Sequence, residues 1–214
     1  HEAKDLQISL FDISERREKL IMNRKSFDKI ASVIGLMLAV FLFVAGGLLQ
    51  WGASFAGNAV STQLEAQKIT LPTATQNSEE SKDVTEFFAT HGGKLMSTGK
   101  EAQMYADHYL GFHLSKMPTY ADASNASRAA AAAAAAAPGD AAKAKAASSA
   151  QSMVDTVFKG VTLRGTLLTA YAFWQLGQVA MYGAIAAFAG GLLFLVLALL
   201  GFAHLRRVAA DEAI

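Results

Sequence analysis

The chain reads as an all-α membrane protein: a two-helix transmembrane hairpin, with helices extended outside the bilayer and a small helical, partly low-complexity extracytoplasmic segment. Two observations predict this class. No Asp, Glu, Lys or Arg occurs from Ile30 to Leu64 or from Gly165 to Ala203, and each stretch holds an apolar run long enough for a hydrocarbon core of about 30 Å, which takes roughly 20 residues. The hydrophobic fraction of 52% and mean hydropathy of +0.26 are apolar for a soluble chain, and the excess sits in these two blocks rather than along a core pattern.

The N-terminal segment, residues 1–29, precedes the first span. Asp12 and Ser14 offer a helix start, and Ile13, Leu20, Ile21, Phe27 and Ile30 fall near one face, so an amphipathic juxtamembrane helix is expected there. A start at His1 leads us to expect that further residues precede it. The first transmembrane helix is placed at residues 30–51, and its length exceeds the short apolar core of a signal peptide. Arg16, Arg17, Lys19, Arg24, Lys25 and Lys29 stand before it, and Arg206 and Arg207 follow the second span at residues 179–203. Lys and Arg near span ends mark the cytoplasmic side, so both termini, including the tail 204–214, are expected on that side. Each uncharged stretch then overshoots the bilayer on the outer side, over Gly52–Leu64 and Gly165–Gln178, because a helix of that full length would span roughly 50 to 60 Å. Trp51, Tyr171, Phe173 and Trp174 fall where an outer aromatic interface belongs.

Residues 52–178 form the extracytoplasmic segment. Pro72, Thr73, Asn77 and Ser78 predict a loop, followed by a short helix over 83–90 that His91-Gly92-Gly93 breaks. Thr98 and Glu101 have capping-box spacing, and a helix is expected from there to about Met117, with Met104, Tyr105, Tyr109, Leu110 and Phe112 forming a covered face and Pro118 ending it. Residues 120–150 are alanine-rich, with an uninterrupted run from Ala129 to Ala137. Alanine favours helix but buries little area, so a helical or partly disordered linker is expected. Ser148 offers a further helix start, and Gly160 and Gly165 are candidate bends.

The chemistry in the sequence is sparse. The net charge of +1 argues against a nucleic-acid surface, and the absence of cysteine excludes disulfides, thiolate metal sites and a Cys nucleophile. Asp107, His108 and His113 are the densest group of possible metal ligands, but a five-residue step puts the two histidines about 140° apart on a helix, away from the four-residue spacing that a helical metal pair uses; His91 would have to join from elsewhere. There is no Gly-x-Ser-x-Gly elbow, Gly92-Gly93 lacks the Lys of a phosphate loop, and neither span carries the ionisable residue that a transport path uses. Small residues do recur four apart: Ala53 with Gly57, Gly183 with Ala187, Ala186 with Gly190. Together with Gly46 and Gly47 they are candidates for close helix packing in lipid.

Three stretches resemble a family of two-span actinobacterial membrane proteins. They are 52–60 together with 63–72, then Ser97-Thr-Gly-Lys-Glu-Ala-Gln-Met-Tyr-Ala-Asp-His-Tyr-Leu-Gly-Phe-His-Leu114, then Thr162-Leu-Arg-Gly-Thr-Leu-Leu-Thr-Ala-Tyr-Ala-Phe-Trp174. The resemblance covers most of the chain outside the N-terminal segment and the alanine tract. Members often carry the label of an aromatic ring-opening dioxygenase small subunit; extradiol ring opening uses an iron held by two His and one carboxylate, a set whose spacing is not found here. The resemblance implies a plasma-membrane location and no established activity. The sequence therefore predicts a non-enzymatic accessory, scaffold or assembly subunit of a larger membrane complex, of the respiratory or envelope kind, with no cofactor. Its expected partners are the lipid bilayer and other integral membrane subunits or further copies of itself. A small homo-oligomeric channel or stretch-responsive pore is the alternative, and a metal-dependent membrane enzyme the third.

Overall fold

A computed structural model of the chain describes the backbone of residues 2–211 and the side chains of residues 26–207. Helix accounts for 83% of the chain, with no strand among the described residues, so the all-α class holds, and two helices are long and apolar enough to cross a membrane. The elements are α1 (Glu2–Ala66), α2 (Lys82–His91), α3 (Gly99–Met104), a π-helical segment (Tyr105–Leu110), α4 (Gly111–Ser115), α5 (Tyr120–Ala135) and α6 (Ala141–Asp211). The chain divides into two compact units, one formed by His1–Trp51 with Ala180–Ile214 and the other by Gly52–Val179.

In the first unit the N-terminal part of α1 and the C-terminal part of α6 pack side by side in opposite directions. A Cβ placed on Gly35 would lie 3.6 Å from Ala198 Cβ, one on Gly191 would lie 3.4 Å from the Ala39 carbonyl, and one on Gly183 would lie 3.3 Å from Leu49 Cδ1. At the far end the Ser32 hydroxyl faces Gly201 and donates to the Asp28 carbonyl at 2.8 Å. The buried positions are small and recur every seven residues: Ser32, Ala39 and Gly46 in α1, Ala184, Gly191 and Ala198 in α6. A seven-residue repeat keeps one seam of a helix facing its partner, and small side chains let the backbones approach. The remaining faces expose large apolar side chains, among them Phe41, Val44, Leu48, Ile185, Leu193 and Leu200. A helix that is apolar all round belongs in a core or in lipid, and here the apolar windows are only 17% and 11% buried.

α1 begins by Glu2, so the helix start expected at Asp12 and Ser14 is absent: the backbone is already helical there. The side chains of that amphipathic face lie mostly outside the described residues. α6 likewise runs from Ala141 without a start at Ser148 or an interruption at Gly160 or Gly165, and it continues past His204. An isolated glycine costs a helix only about 1 kcal/mol, which its many neighbouring hydrogen bonds absorb.

In the second unit a core of Val60, Leu64, Leu71, Met96, Ala102, Ala106 and Leu167 gathers residues from α1, the loops on either side of α2, α3, the π-helical segment and α6. Lys68, at φ 53, turns the chain out of α1. The loop is pinned by an antiparallel bridge between Thr70 and Leu95, and α2 lays Val84 and Phe88 against Met104. Gly92 and Gly93 end α2, Gly93 at φ 77. The alanine tract takes the helical one of its two expected forms: α5 pairs with the first turns of α6, Ser127 Oγ donating to Gln151 Oε1 at 3.0 Å and the Tyr120 and Phe158 rings lying 6.0 Å apart. Val157 and Ala123 are buried there. One valine, one hydrogen bond and one ring pair thus supply the packing that methyl groups alone do not.

Candidate functional site

The helical run from Gly99 to Ser115 carries Glu101, Asp107, His108 and His113 together with Tyr105 and Tyr109. Its start is built as the sequence predicts: the Thr98 hydroxyl accepts from the Glu101 N–H at 3.2 Å, and the Glu101 carboxylate accepts from the Thr98 N–H at 2.9 Å. Glu101 also takes the Ser97 N–H at 2.8 Å and the Ser97 hydroxyl at 3.2 Å. This carboxylate is buried, and its donors replace the water it loses.

From Tyr105 to Leu110 the run widens into a π-helix. There the Ala106 carbonyl accepts from the Gly111 N–H and also from Arg164 Nε at 3.1 Å. Arg164 Nη2 donates to Asp107 Oδ1 at 2.8 Å, and Asp107 Oδ2 accepts from Gln103 Nε2 at 3.0 Å. A side chain inserted at a widened turn is a familiar cause of such segments, which are frequent at functional sites. Here the guanidinium ties the widened turn to α6.

Next along the run, His108 Nδ1 lies 3.0 Å from Glu80 Oε2, joining the helix to the end of the preceding loop. His113 Nδ1 lies 2.8 Å from the Tyr109 carbonyl and His91 Nδ1 lies 3.0 Å from the Phe87 carbonyl. A carbonyl only accepts, so in both rings Nδ1 carries the proton. His91 also stacks on Phe87 at 4.1 Å. The Tyr105 and Tyr109 rings are 4.9 Å apart; burial pushes the Tyr105 phenol above its ordinary pKa, and the neighbouring Tyr109 adds to the rise.

Asp107, His108 and His113 therefore each face a different partner, and His91 sits on α2 with a carbonyl of its own. Among the described residues no group of three or more His, Asp or Glu is arranged to hold a metal ion. Sequence reasoning named the central residues but missed Arg164 and Glu80 as their partners. The available signal was modest: Arg164 is the last charge before the uncharged stretch that begins at Gly165.

The packing candidates spread over both units. In the first, Gly46 is buried beneath the Phe188 ring, Gly183 and Gly190 receive Leu49 and Leu42, Ala187 is half-buried and Gly47 is exposed with nothing near a Cβ placed there. Trp51 is 69% exposed. In the second, Ala53 is buried, and Gly57 is half-buried beside Gly177. Phe173 is 57% exposed, Tyr171 is half-buried with its ring 6.1 Å from Trp174, and Trp174 turns into the core and covers Gly99.

No family model, curated protein or solved structure matches this chain.

Proposed function

We propose that the chain is a non-enzymatic accessory, scaffold or assembly subunit of a larger bacterial membrane complex. In this reading α1 and α6 cross the plasma membrane as a hairpin over residues 30–51 and 179–203, both termini are cytoplasmic, and residues 52–178 stand outside. The asymmetry of Lys and Arg around the two uncharged stretches supports the orientation. The small-residue seam and the apolar faces around it suit a helix pair surrounded by lipid.

The observation that carries the reading is an exposed ridge on α6 within the second unit, which begins at the Tyr120–Phe158 ring pair and continues along the helix. Phe158, Thr162, Gly165, Thr169, Ala172, Leu176 and Val179 are all exposed, at alternating spacings of four and three residues. Phe158 is 56%, Leu176 64% and Val179 60% exposed. Such spacing places side chains along one helix face, and an exposed apolar stripe of this kind marks a contact with protein or membrane. The polar groups of the same unit, by contrast, are mostly engaged with one another.

Purification of the tagged full chain in a mild detergent, followed by mass spectrometry, tests the proposal. The expected result is a reproducible companion membrane protein in stoichiometric amount that is lost on Leu176→Glu, a change at an exposed position of the ridge. Recovery of a monomer alone would refute it, and a defined homo-oligomer that conducts ions in planar bilayers would favour the channel reading instead.

A further inference from the structure

Between α5 and the first turns of α6 lies an open cavity of about 540 Å³, left because the alanines of both helices fill little volume. Its polar lining is Tyr120, Ser124, Ser127, Arg128 and Gln151. Two of these are spoken for: Ser127 donates to Gln151, whose amide donates in turn to Asp155 Oδ1 at 3.0 Å. The other three are not. Arg128 Nη2 meets only the neutral Asn125 Oδ1, at 2.7 Å, so no carboxylate balances its charge among the described residues. The nearby Asp122 is occupied by the Thr119 hydroxyl at 2.6 Å. Among the described residues the Tyr120 hydroxyl makes no hydrogen bond, and the buried Ser124 Oγ has no hydrogen-bond partner.

A buried hydroxyl without a partner costs stability, and an alanine at the same helical position would remove that cost and raise helix propensity. Ser124 thus shares the cavity with the exposed Arg128 guanidinium and the exposed Tyr120 hydroxyl, a set of donors with no carboxylate to receive them among the described residues. We infer that this cavity binds an oxyanion, a phosphate or carboxylate group. Arg128 supplies the charged fork that suits two oxygens at once, and the Ser124 and Tyr120 hydroxyls donate to the remaining lone pairs. α6 runs unbroken from Gln151 to Val179, where the proposed span begins, a distance of about 40 Å, so the group comes on a soluble molecule rather than on a lipid headgroup of the bilayer.

The test uses the full chain in nanodiscs of phosphatidylcholine, titrated with inorganic phosphate by calorimetry. Saturable binding is expected, weakened about tenfold or more by Arg128→Gln and left unchanged by Lys94→Gln, an exposed cation elsewhere. Ser124→Ala is expected to weaken binding while raising the melting temperature. A residue with only a folding role would not move these two readouts in opposite directions. Repeating the titration in nanodiscs containing phosphatidylglycerol should leave the binding unchanged, and loss of phosphate binding there would overturn the assignment to a soluble anion. Absence of saturable binding, an Arg128→Gln protein that binds as the parent does, or an equal loss with Lys94→Gln would overturn the inference.

Discussion

The packing of α1 on α6 in the first unit can be tested by a covalent link. A Cβ on Gly35 would lie 3.6 Å from Ala198 Cβ, inside the window of about 3.5 to 4.5 Å that a disulfide requires. The chain has no cysteine, so in the double variant Gly35→Cys, Ala198→Cys no other intramolecular bond can form. The link would close a loop of about 160 residues, and the chain-entropy model assigns such a closure about 5 kcal/mol. With a protease site inserted at Pro138–Asp140, between α5 and α6, the two fragments should stay joined on a non-reducing gel and separate after reduction. The control pair Gly47→Cys, Ala198→Cys should not link, since nothing lies within 4 Å of a Cβ on Gly47 and it stands about 18 Å along the helix from Gly35. Equal linking in both pairs, or linking only between separate molecules, would refute the seam.

Four further outcomes test the second unit. Phe88→Ala removes a ring that is 0% exposed and packs on Val84 and Met104; it should cost about 3 to 5 kcal/mol, read as faster hydrogen exchange in α2 and α3. Gly99→Ala puts a Cβ into the Trp174 side chain, with an expected cost of about 1 to 3 kcal/mol and a shift in Trp174 emission measured in a Trp51→Phe background. Thr98→Ala should cost about 1 kcal/mol through the lost cap, measured by thermal unfolding. Because the folded Tyr105 phenol has a raised pKa, its contribution to stability is fully present below the unfolded value of about 10 and is lost as pH rises through the folded value; Tyr105→Phe should unfold less steeply with alkali in a pH series of melts.

What the sequence made legible follows from the range of the forces involved. Helix class, the charge-free stretches and the Thr98–Glu101 box depend on neighbours a few residues apart, and all can be read directly. The ties across the second unit are long-range: Arg164 and Asp107 are 57 residues apart, and His108 and Glu80 are 28 apart. No local pattern announces such pairs. The π-helical widening has no compositional signal either; it is tied to a guanidinium arriving from α6. The alanine tract shows the same division. Propensity made it helical, but only Val157, Gln151 and Phe158, from the following helix, decide what it lies against.

The helix seam shows how a class of small residue leaves the register open. Glycine and alanine are so frequent in both uncharged stretches that pairs four apart, such as Gly183 with Ala187, arise alongside a seven-residue series that is equally small. Burial separates them: Ala184, Gly191 and Ala198 are enclosed while Gly183, Ala187 and Gly190 are only half-covered at the flanks. In water the larger apolar residues would mark the buried side, because burying a leucine there gains about 1.5 to 3 kcal/mol over leaving it exposed. In lipid that gain is absent, the large side chains can face outward without cost, and closeness of backbones becomes the deciding term. The enclosed series here is Ser32, Ala39 and Gly46 against Ala184, Gly191 and Ala198, while Phe41, Leu48, Leu193 and Leu200 are exposed. That inversion of the usual core pattern is the energetic argument for reading this helix pair as one that folds in a bilayer.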